Sequence, residues 1–185
     1  MSDPPRRLVV GVGNPDRGDD GVGRLVARLL RDRVPADVHV AEHGGDAAGL
    51  ISLLQDADCV FLVDAAVSGT PPGTIHRVDC AAAGTLPPAS GMSSHGLGVA
   101  EAIALARALG CLPRGCVVYA VEGTCFAPGS EVTRSVLDAA HKVAVRIAEE
   151  LGLLRPSTAA SRLSGGRQCH VRPQAESEAI PRAKA

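Results

Sequence analysis

A glycine-rich bend between an apolar strand and a helix is the feature that most constrains the fold of this chain. Residues 9–23 read VVGVGNPDRGDDGVG. Gly11 and Gly13 permit a sharp turn and close backbone approach, and Asp19 and Asp20 follow where a helix is expected to begin. Helix capping explains one of these carboxylates, because the first N–H groups of a helix lack partners and its dipole is positive there. Two adjacent carboxylates exceed what capping requires.

A dinucleotide-binding site also begins with a glycine-rich bend after a strand, but it requires a third glycine three residues after the second. Asp16 occupies that position here. Its carboxylate would repel a phosphate, and only Glu42 loosely matches the acidic residue that binds the ribose in such sites. The sequence therefore argues against nucleotide binding at this bend.

Apolar periodicity predicts that strands and helices alternate along the chain. The predicted strands cover residues 7–12, 37–41, 59–66, 74–79 and 116–122, and the predicted helices cover residues 20–33, 46–55, 97–109 and 130–152, the last with Ser130 as its N-cap. The run CVFLVDAA is typical of a central strand, whereas TIHRVD alternates like an edge strand. This order predicts an α/β fold, a three-layer sandwich of the phosphorylase/hydrolase-like type with a mostly parallel central sheet.

The charge distribution divides the chain into an acidic domain and a basic tail. Residues 1–154 contain 13 Lys and Arg against 18 Asp and Glu, whereas residues 155–185 contain 6 against 2. The tail has several prolines and no apolar periodicity, so it cannot bury enough surface to offset its ordering entropy. We predict an α/β domain over residues 6–154 and a disordered basic C-terminal tail over residues 155–185.

Cysteine usage and the scarcity of aromatic residues bear on compartment and partners. The six cysteines include no CxxC pair, and neither a signal peptide nor an apolar run long enough to cross a bilayer is evident. We expect a cytoplasmic protein with reduced thiols, no zinc site built from thiolates and no membrane partner. Only three residues are aromatic, which argues against a surface that stacks nucleic-acid bases.

Three ionisable side chains are predicted to lie at the carboxyl edge of the sheet, where open α/β sheets bind ligands. Asp20 follows the first strand, Asp64 stands exposed at the end of the apolar run CVFLVD, and His95 precedes a helix. Two carboxylates and an imidazole can hold a divalent ion such as nickel or zinc, or can polarise a water molecule for hydrolysis. Each also has a structural explanation: a helix cap, a hydrogen bond to a turn, and a donor to a backbone carbonyl, respectively.

The other histidines of the folded part are divided by the same reasoning. His43 follows the second strand and is predicted to face the carboxyl edge, whereas His39, His76 and His141 are predicted to lie elsewhere. No Ser-His-Asp or Cys-His arrangement that would supply a covalent nucleophile is evident in the sequence.

An ordered set of motifs over about residues 8–150 resembles the maturation endopeptidases of nickel–iron hydrogenases. In chain order the motifs are GVGNPDRGDDGVG, HGGDAAGL, FLVDAA, PPGTIHRVD, SSHGLGVAEAIALARALG and AVEG. Members of that family trim a short C-terminal extension from the hydrogenase large subunit after nickel insertion, and cleavage lets the new C-terminus fold in and close the active site. The resemblance implies that residues 6–154 form a peptidase domain whose partner is the large-subunit precursor.

The resemblance also implies that Asp20, Asp64 and His95 match the three metal-binding positions of the family, the first of which is Asp or Glu. The metal contact of the family is attributed to nickel held by the substrate. The chain is therefore expected to carry no permanent metal ion and no bound organic cofactor. The same three residues are the predicted catalytic residues of an aspartic-type, metal-recognising peptidase.

One motif departs from the family pattern. The family often shows DGGT after the second strand, whereas this chain has His43, Gly44, Gly45 and Asp46 there, so the acidic residue is displaced. This departure lies in a loop that bears on substrate specificity. It makes His43 and Asp46 secondary candidates for the site.

Two other functions remain open at the level of sequence. Peptidyl-tRNA hydrolases also begin with a GxGNP turn on a related sandwich, but they expect a catalytic histidine shortly after it, and this chain has none before His39. The acidic domain is also a poor surface for tRNA. A non-enzymatic chaperone for nickel or for the precursor would use Asp20, Asp64 and His95 for recognition alone.

Overall fold

The computed structural model describes residues 5–81 and 98–152. In that part of the chain, five strands form one sheet in the order β2-β1-β3-β5-β4. The strands are β1 (Arg7–Val12), β2 (Val38–His43), β3 (Cys59–Ala66), β4 (Ile75–Asp79) and β5 (Gly115–Glu122). β1, β2, β3 and β5 run parallel, and β4 pairs antiparallel with β5 at the edge. The predicted mostly parallel sheet and the edge position of β4 are confirmed.

Helices cover both faces of this sheet. They are α1 (Val22–Arg31), α2 (Ala47–Gln55), α3 (Gly98–Ala108) and α4 (Arg134–Glu150). α1 contacts α4, and α2 contacts α3. Side chains alternate between the two faces of a strand. On β3, Phe61 and Val63 belong to the core with α1 and α4, whereas Val60 and Leu62 belong to the core with α2 and α3. The predicted three-layer sandwich is confirmed.

Close packing of α1 on the sheet depends on glycine. A Cβ on Gly11 would collide with the carbonyl oxygen of Gly23, and a Cβ on Gly23 would collide with the carbonyl oxygens of Val12 and Val63. Gly13, in the turn itself, has a φ of 124°, a conformation that favours glycine. The bend therefore brings the start of α1 against the carboxyl ends of β1 and β3.

The helix predicted over residues 20–33 begins differently in the structure. A 3-10 helix at Gly18–Gly21 precedes α1. The N-cap positions of the two segments are Arg17 and Gly21, and neither cap involves a side-chain hydrogen bond. The explanation of the adjacent aspartates as helix caps is therefore wrong.

The last helix begins later than predicted. α4 has Thr133 at its N-cap, and the Ser130 hydroxyl instead donates to the carbonyl of Ala127 at 2.6 Å, within the preceding turn. The predicted end is confirmed, because Gly152 has a φ of 76° and its N–H donates to the carbonyl of Glu149.

Some sequence predictions concern residues outside the described ranges. His95 and the tail over residues 155–185 lie there, as does most of the small-residue loop predicted over residues 80–94. Among the described residues, Cys59 and Cys116 are buried within β3 and β5, where they pack as small hydrophobic side chains. No helix within these same residues combines the length and the apolar character needed to span a bilayer.

Candidate active site

Asp64 lies at the carboxyl edge of the sheet, inside β3. The residue is 2% exposed, and its Oδ1 accepts the N–H of Ala65 at 2.9 Å. The predicted strand over residues 59–66 is confirmed, but the prediction that Asp64 is exposed is wrong, because the side chain is buried two residues before the end of β3. In the register with β5, Asp64 lies beside Ala120.

Asp20 reaches the same edge from the 3-10 helix that follows β1. The residue is 1% exposed, and its Oδ2 accepts the N–H of Asn14 at 2.8 Å across the glycine-rich turn. The 3-10 helix contacts β3, which neighbours β1 in the sheet and carries Asp64. Two of the three predicted site residues thus lie at the carboxyl edge of the sheet, Asp20 on the 3-10 helix after β1 and Asp64 within β3. The third, His95, lies outside the described residues, three positions before α3.

Asp19, the residue directly before Asp20, anchors the loop that follows β5. It is fully buried, and its Oδ2 accepts the N–H groups of Thr124 and Cys125 at 2.8 and 2.9 Å. Its Oδ1 accepts the N–H of Thr133 at 2.7 Å. The two adjacent aspartates therefore differ in role, because Asp19 organises three backbone donors of a distant loop while Asp20 remains a candidate for chemistry.

The secondary candidates, His43 and Asp46, shape the turn between β2 and α2. Asp46 is the N-cap of α2, and its Oδ1 accepts the N–H of Gly49 at 2.8 Å. His43 ends β2, its Nδ1 accepts the N–H of Gly45 at 3.0 Å, and its Nε2 lies 3.5 Å from Asp46 Oδ2. These contacts give both residues a structural role in the loop that departs from the family pattern.

A buried glutamate that the sequence reasoning missed also lies at this edge. Glu122 ends β5 beside Ala66, so it projects from the same face of the sheet as Asp64. Ser68 donates to its carboxylate through both its N–H and its hydroxyl, the latter at 2.9 Å, and Gly69 donates its N–H at 2.8 Å. Burial opposes ionisation, but these hydrogen bonds outweigh it and hold the pKa of Glu122 below its usual range. The sequence signal that could have identified Glu122 is an acidic residue at the end of the apolar run CVVYAVE.

His76 lies at this edge as well, which contradicts the sequence prediction. β4 runs antiparallel, so its first residues lie beside the carboxyl ends of the parallel strands. His76 pairs with Ala120, and Ala120 pairs on its other side with Asp64, so both side chains project from one face. The Nε2 of His76 is 3.2 Å from Thr70 Oγ1 and 3.5 Å from Glu122 Oε2.

An open groove of about 460 Å³ borders the turn that carries Asp20. Pro15 and Gly21 line it from that turn, Leu25 from α1 and Leu137 from α4. Arg28, Ser130 and Glu131 add polar groups to the lining.

The described residues supply carboxylate acceptors rather than a complete metal site. Within residues 5–81 and 98–152, no group of three or more His, Cys, Asp and Glu side chains is arranged to hold a metal ion. Asp20 and Asp64 offer oxygens that can bind a divalent ion brought by another molecule, and either can accept a proton from water.

Sequence comparison identifies relatives of one kind. The family model for hydrogenase maturation proteases matches residues 23–150. The hydrogenase expression/formation protein HoxM of Azotobacter vinelandii is 31% identical over 156 residues, which cover 81% of this chain and 75% of that protein. The hydrogenase expression/formation protein HupD of Thiocapsa roseopersicina is 34% identical over 124 residues, which cover 66% of this chain and 56% of that protein.

Solved structures share the fold. The hydrogenase maturating endopeptidase HybD of Escherichia coli has a TM-score of 0.64 and 24% identity, with 80% of this chain and 92% of that chain covered. The NiFe hydrogenase maturation protease HycI of Thermococcus kodakarensis has a TM-score of 0.62 and 26% identity, with 81% and 95% covered. These similarities favour neither a peptidyl-tRNA hydrolase nor a non-enzymatic chaperone. The chain is a hydrolase of peptide bonds and belongs to the hydrogenase maturation protease family.

Proposed function

We propose that this chain removes the C-terminal extension of a nickel–iron hydrogenase large-subunit precursor after nickel has been inserted. Family membership supplies the class of reaction. The observation that supports the proposal is that two buried carboxylates lie at the carboxyl edge of the sheet, Asp64 within β3 and Asp20 on the 3-10 helix that contacts β3. The precursor is the partner, and the cytoplasm, expected from the cysteine usage, is the proposed compartment.

In this proposal the nickel belongs to the substrate. Asp20 and Asp64, together with His95, contact the nickel of the precursor and thereby position the peptide bond of the extension. Hydrolysis then adds the oxygen of water to the carbonyl carbon, breaks the C–N bond and transfers a proton to the leaving amine. One of the two carboxylates can accept the proton of the attacking water. This makes the chain an aspartic-type, metal-recognising peptidase.

The proposal is tested by comparing nickel-loaded with nickel-free precursor. Each is mixed with protein that has been stripped by a chelator and then freed of the chelator by dialysis, and the C-terminal mass of the precursor is measured. Two carboxylates and one imidazole leave coordination positions open, so the isolated protein is expected to purify largely metal-free. We expect cleavage of the nickel-loaded precursor alone. Efficient cleavage of the nickel-free precursor, or a firmly retained stoichiometric zinc ion, would contradict recognition of the substrate's metal.

Variants test the residue assignment separately. Asp64→Asn and His95→Ala are expected to abolish processing while the circular dichroism spectrum stays unchanged. Asp138→Asn is the matched control, since this carboxylate is half exposed on α4 and pairs with Arg134. Full processing by either site variant would remove that residue from the mechanism. A wild-type protein that binds the precursor without changing its mass would instead support a chaperone.

A further inference from the structure

A hydrogen-bond network links buried Glu122 to the imidazole of His76 at the carboxyl edge of the sheet. The hydroxyl of Ser68 donates to Glu122 Oε2 at 2.9 Å. The Oγ of Ser68 lies 3.2 Å from Thr70 Oγ1, which itself lies 3.2 Å from His76 Nε2. Glu122 is 1% exposed, whereas the His76 side chain is 35% exposed. The network therefore connects a buried carboxylate with a ring that solvent reaches.

The charge of Glu122 fixes the direction of each hydrogen bond in this network. Burial alone would raise the pKa of Glu122, but the N–H and hydroxyl of Ser68 and the N–H of Gly69 outweigh it. The carboxylate is therefore ionised and can only accept. Because the hydroxyl proton of Ser68 is used on Glu122, Ser68 Oγ accepts from Thr70. The single hydroxyl proton of Thr70 is then used in turn, so Thr70 Oγ1 accepts from His76 Nε2.

This direction determines the tautomer of His76. A neutral imidazole with its proton on Nε2 carries an acceptor lone pair on Nδ1. Glu122 Oε2, which is 3.5 Å from Nε2, also favours the proton on that nitrogen. The two ring nitrogens are separated by a carbon atom, so Nδ1 is directed away from the network. His76 thus presents a hydrogen-bond acceptor of fixed orientation at the edge of the sheet.

His76 and Asp64 project from the same face of the sheet. Both pair with the same residue of β5, and directly paired residues share a face. Two positions further along the three strands, Leu62, Val118 and Val78 all pack in the core with α2 and α3. Two strand spacings, or about 10 Å, separate β3 from β4, and an extended peptide spans that distance with about three residues. A peptide that crosses this edge therefore meets His76 about three residues from its contact with Asp64.

We propose that Nδ1 of His76 accepts a hydrogen bond from a backbone N–H of the bound precursor, about three residues from the scissile bond. The inference rests on the proposed function, since it takes the precursor segment beside Asp64 as the bound peptide. Every residue except proline offers a backbone N–H, so this contact positions the peptide through its main chain and disfavours proline at that position. His76 binds substrate and takes no part in bond breaking. Thr70, Ser68 and Glu122 are positioning residues that act through its ring.

The first test compares wild-type protein with His76→Ala and His76→Asn on the nickel-loaded precursor. Loss of one hydrogen bond predicts a decrease of about threefold to tenfold in kcat/KM for the Ala variant, mainly through KM. The amide oxygen of the Asn variant takes a place near that of Nδ1, so part of the loss should be restored. His39→Ala is the matched control, because it removes an exposed histidine from β2, the opposite edge strand, and it should stay within about twofold of wild type.

Variants of Thr70 test the network. Thr70→Val removes the acceptor of the Nε2 proton and should lower kcat/KM by about twofold to fivefold, whereas Thr70→Ser keeps the hydroxyl and should match wild type. In a His76→Ala background, Thr70→Val should cause no further loss, because Thr70 acts through the ring. The same loss with and without His76 would show that Thr70 acts independently, which would overturn the assignment of the network.

Modified precursors test the contact itself. In each semisynthetic precursor, an ester oxygen replaces one backbone N–H about three or four residues to either side of the scissile bond. On one of these substrates wild-type protein should lose the factor that His76→Ala loses on the natural precursor, and the variant should lose nothing further there. Equal kcat/KM of His76→Ala and wild type on the natural precursor would overturn the inference. Equal losses by both proteins on every ester substrate would also overturn it.

A binding measurement separates this inference from the proposed function. The Kd of fluorescent nickel-loaded precursor is measured by stopped-flow anisotropy for wild type and His76→Ala, and the mass of the precursor reports cleavage. If wild type binds in a His76-dependent way without cleaving the precursor, the proposed function fails and the role of His76 stands. If wild type cleaves the precursor but binds it with the same Kd as His76→Ala, the role of His76 fails and the proposed function stands.

Discussion

Replacing Asp19 by alanine is expected to lower the free energy of unfolding by about 3 kcal/mol, because three backbone donors lose their acceptor together. The N–H groups of Thr124, Cys125 and Thr133 donate to its carboxylate at 2.8, 2.9 and 2.7 Å. Leaving a buried donor unsatisfied costs about 1–3 kcal/mol. These donors lie in a partly buried loop where water can replace part of the lost bonding, so the low end of the range, about 1 kcal/mol for each, is appropriate.

A loss of this size is measurable in a domain whose total stability is about 5–15 kcal/mol. At about 2–4 °C per kcal/mol, the midpoint of thermal unfolding should fall by about 6–12 °C. With a urea m-value of about 2 kcal/mol/M, the denaturation midpoint should fall by about 1.5 M. Far-ultraviolet circular dichroism is the suitable readout, because the chain has no tryptophan and a single tyrosine.

The control for Asp19→Ala is Asp138→Asn. Asp138 forms an exposed ion pair with Arg134 at 3.1 Å on α4, so its replacement should change stability by less than about 0.5 kcal/mol. If both variants unfold at the same urea concentration as wild type, the carboxylate of Asp19 does not hold the loop. That result would refute the argument from the three donors.

Three further predictions follow from the same structure. Gly11→Ala should prevent stable folding, because its Cβ would meet the carbonyl oxygen of Gly23. Gly44→Ala should fold normally, because the nearest atom to its Cβ would be 4.0 Å away. Similar melting curves for the two variants would contradict this prediction. Glu122→Gln should flatten the loss of stability on acidification, measured by urea titration at several pH values. The lowered pKa of Glu122 means that its ionised form contributes fully above the ordinary glutamate value of about 4.3 and loses its contribution as pH falls through the lowered value. Deletion of residues 158–185 should leave the thermal midpoint unchanged, since that segment lacks apolar periodicity, and a midpoint several degrees lower would show that it packs on the domain.

The order and kind of the secondary elements could be predicted because they depend on local patterns. The run CVFLVDAA is apolar because β3 is covered on both faces, and every residue of that strand is buried in the structure. The glycines of the bend were recognisable for a similar reason, since Gly13 adopts a φ of 124° that other residues avoid. Local steric limits and burial determine which residue types occur at neighbouring positions. Strands and turns can therefore be predicted from the sequence without knowledge of the fold.

Helix starts were predicted less well because several local signals compete for them. Ser130 and the two aspartates of the bend are all good capping residues, yet none of them caps a helix in the structure. Ser130 is used within a turn, and Asp19 is used by the loop after β5. The role of Asp19 depends on hydrogen-bond donors more than 100 positions away in the chain, and no local sequence pattern predicts those donors.

The sequence by itself determined the alternation of strands and helices, the glycine bend, and the presence of Asp20 and Asp64 at one edge of a parallel sheet. Only the tertiary structure decided that Asp19 anchors the loop after β5 and that antiparallel β4 brings His76 to that edge. The physical reason is that periodicity reports the burial of neighbouring residues. Strand direction, register and the partners of buried polar groups are settled by contacts between segments far apart in the chain.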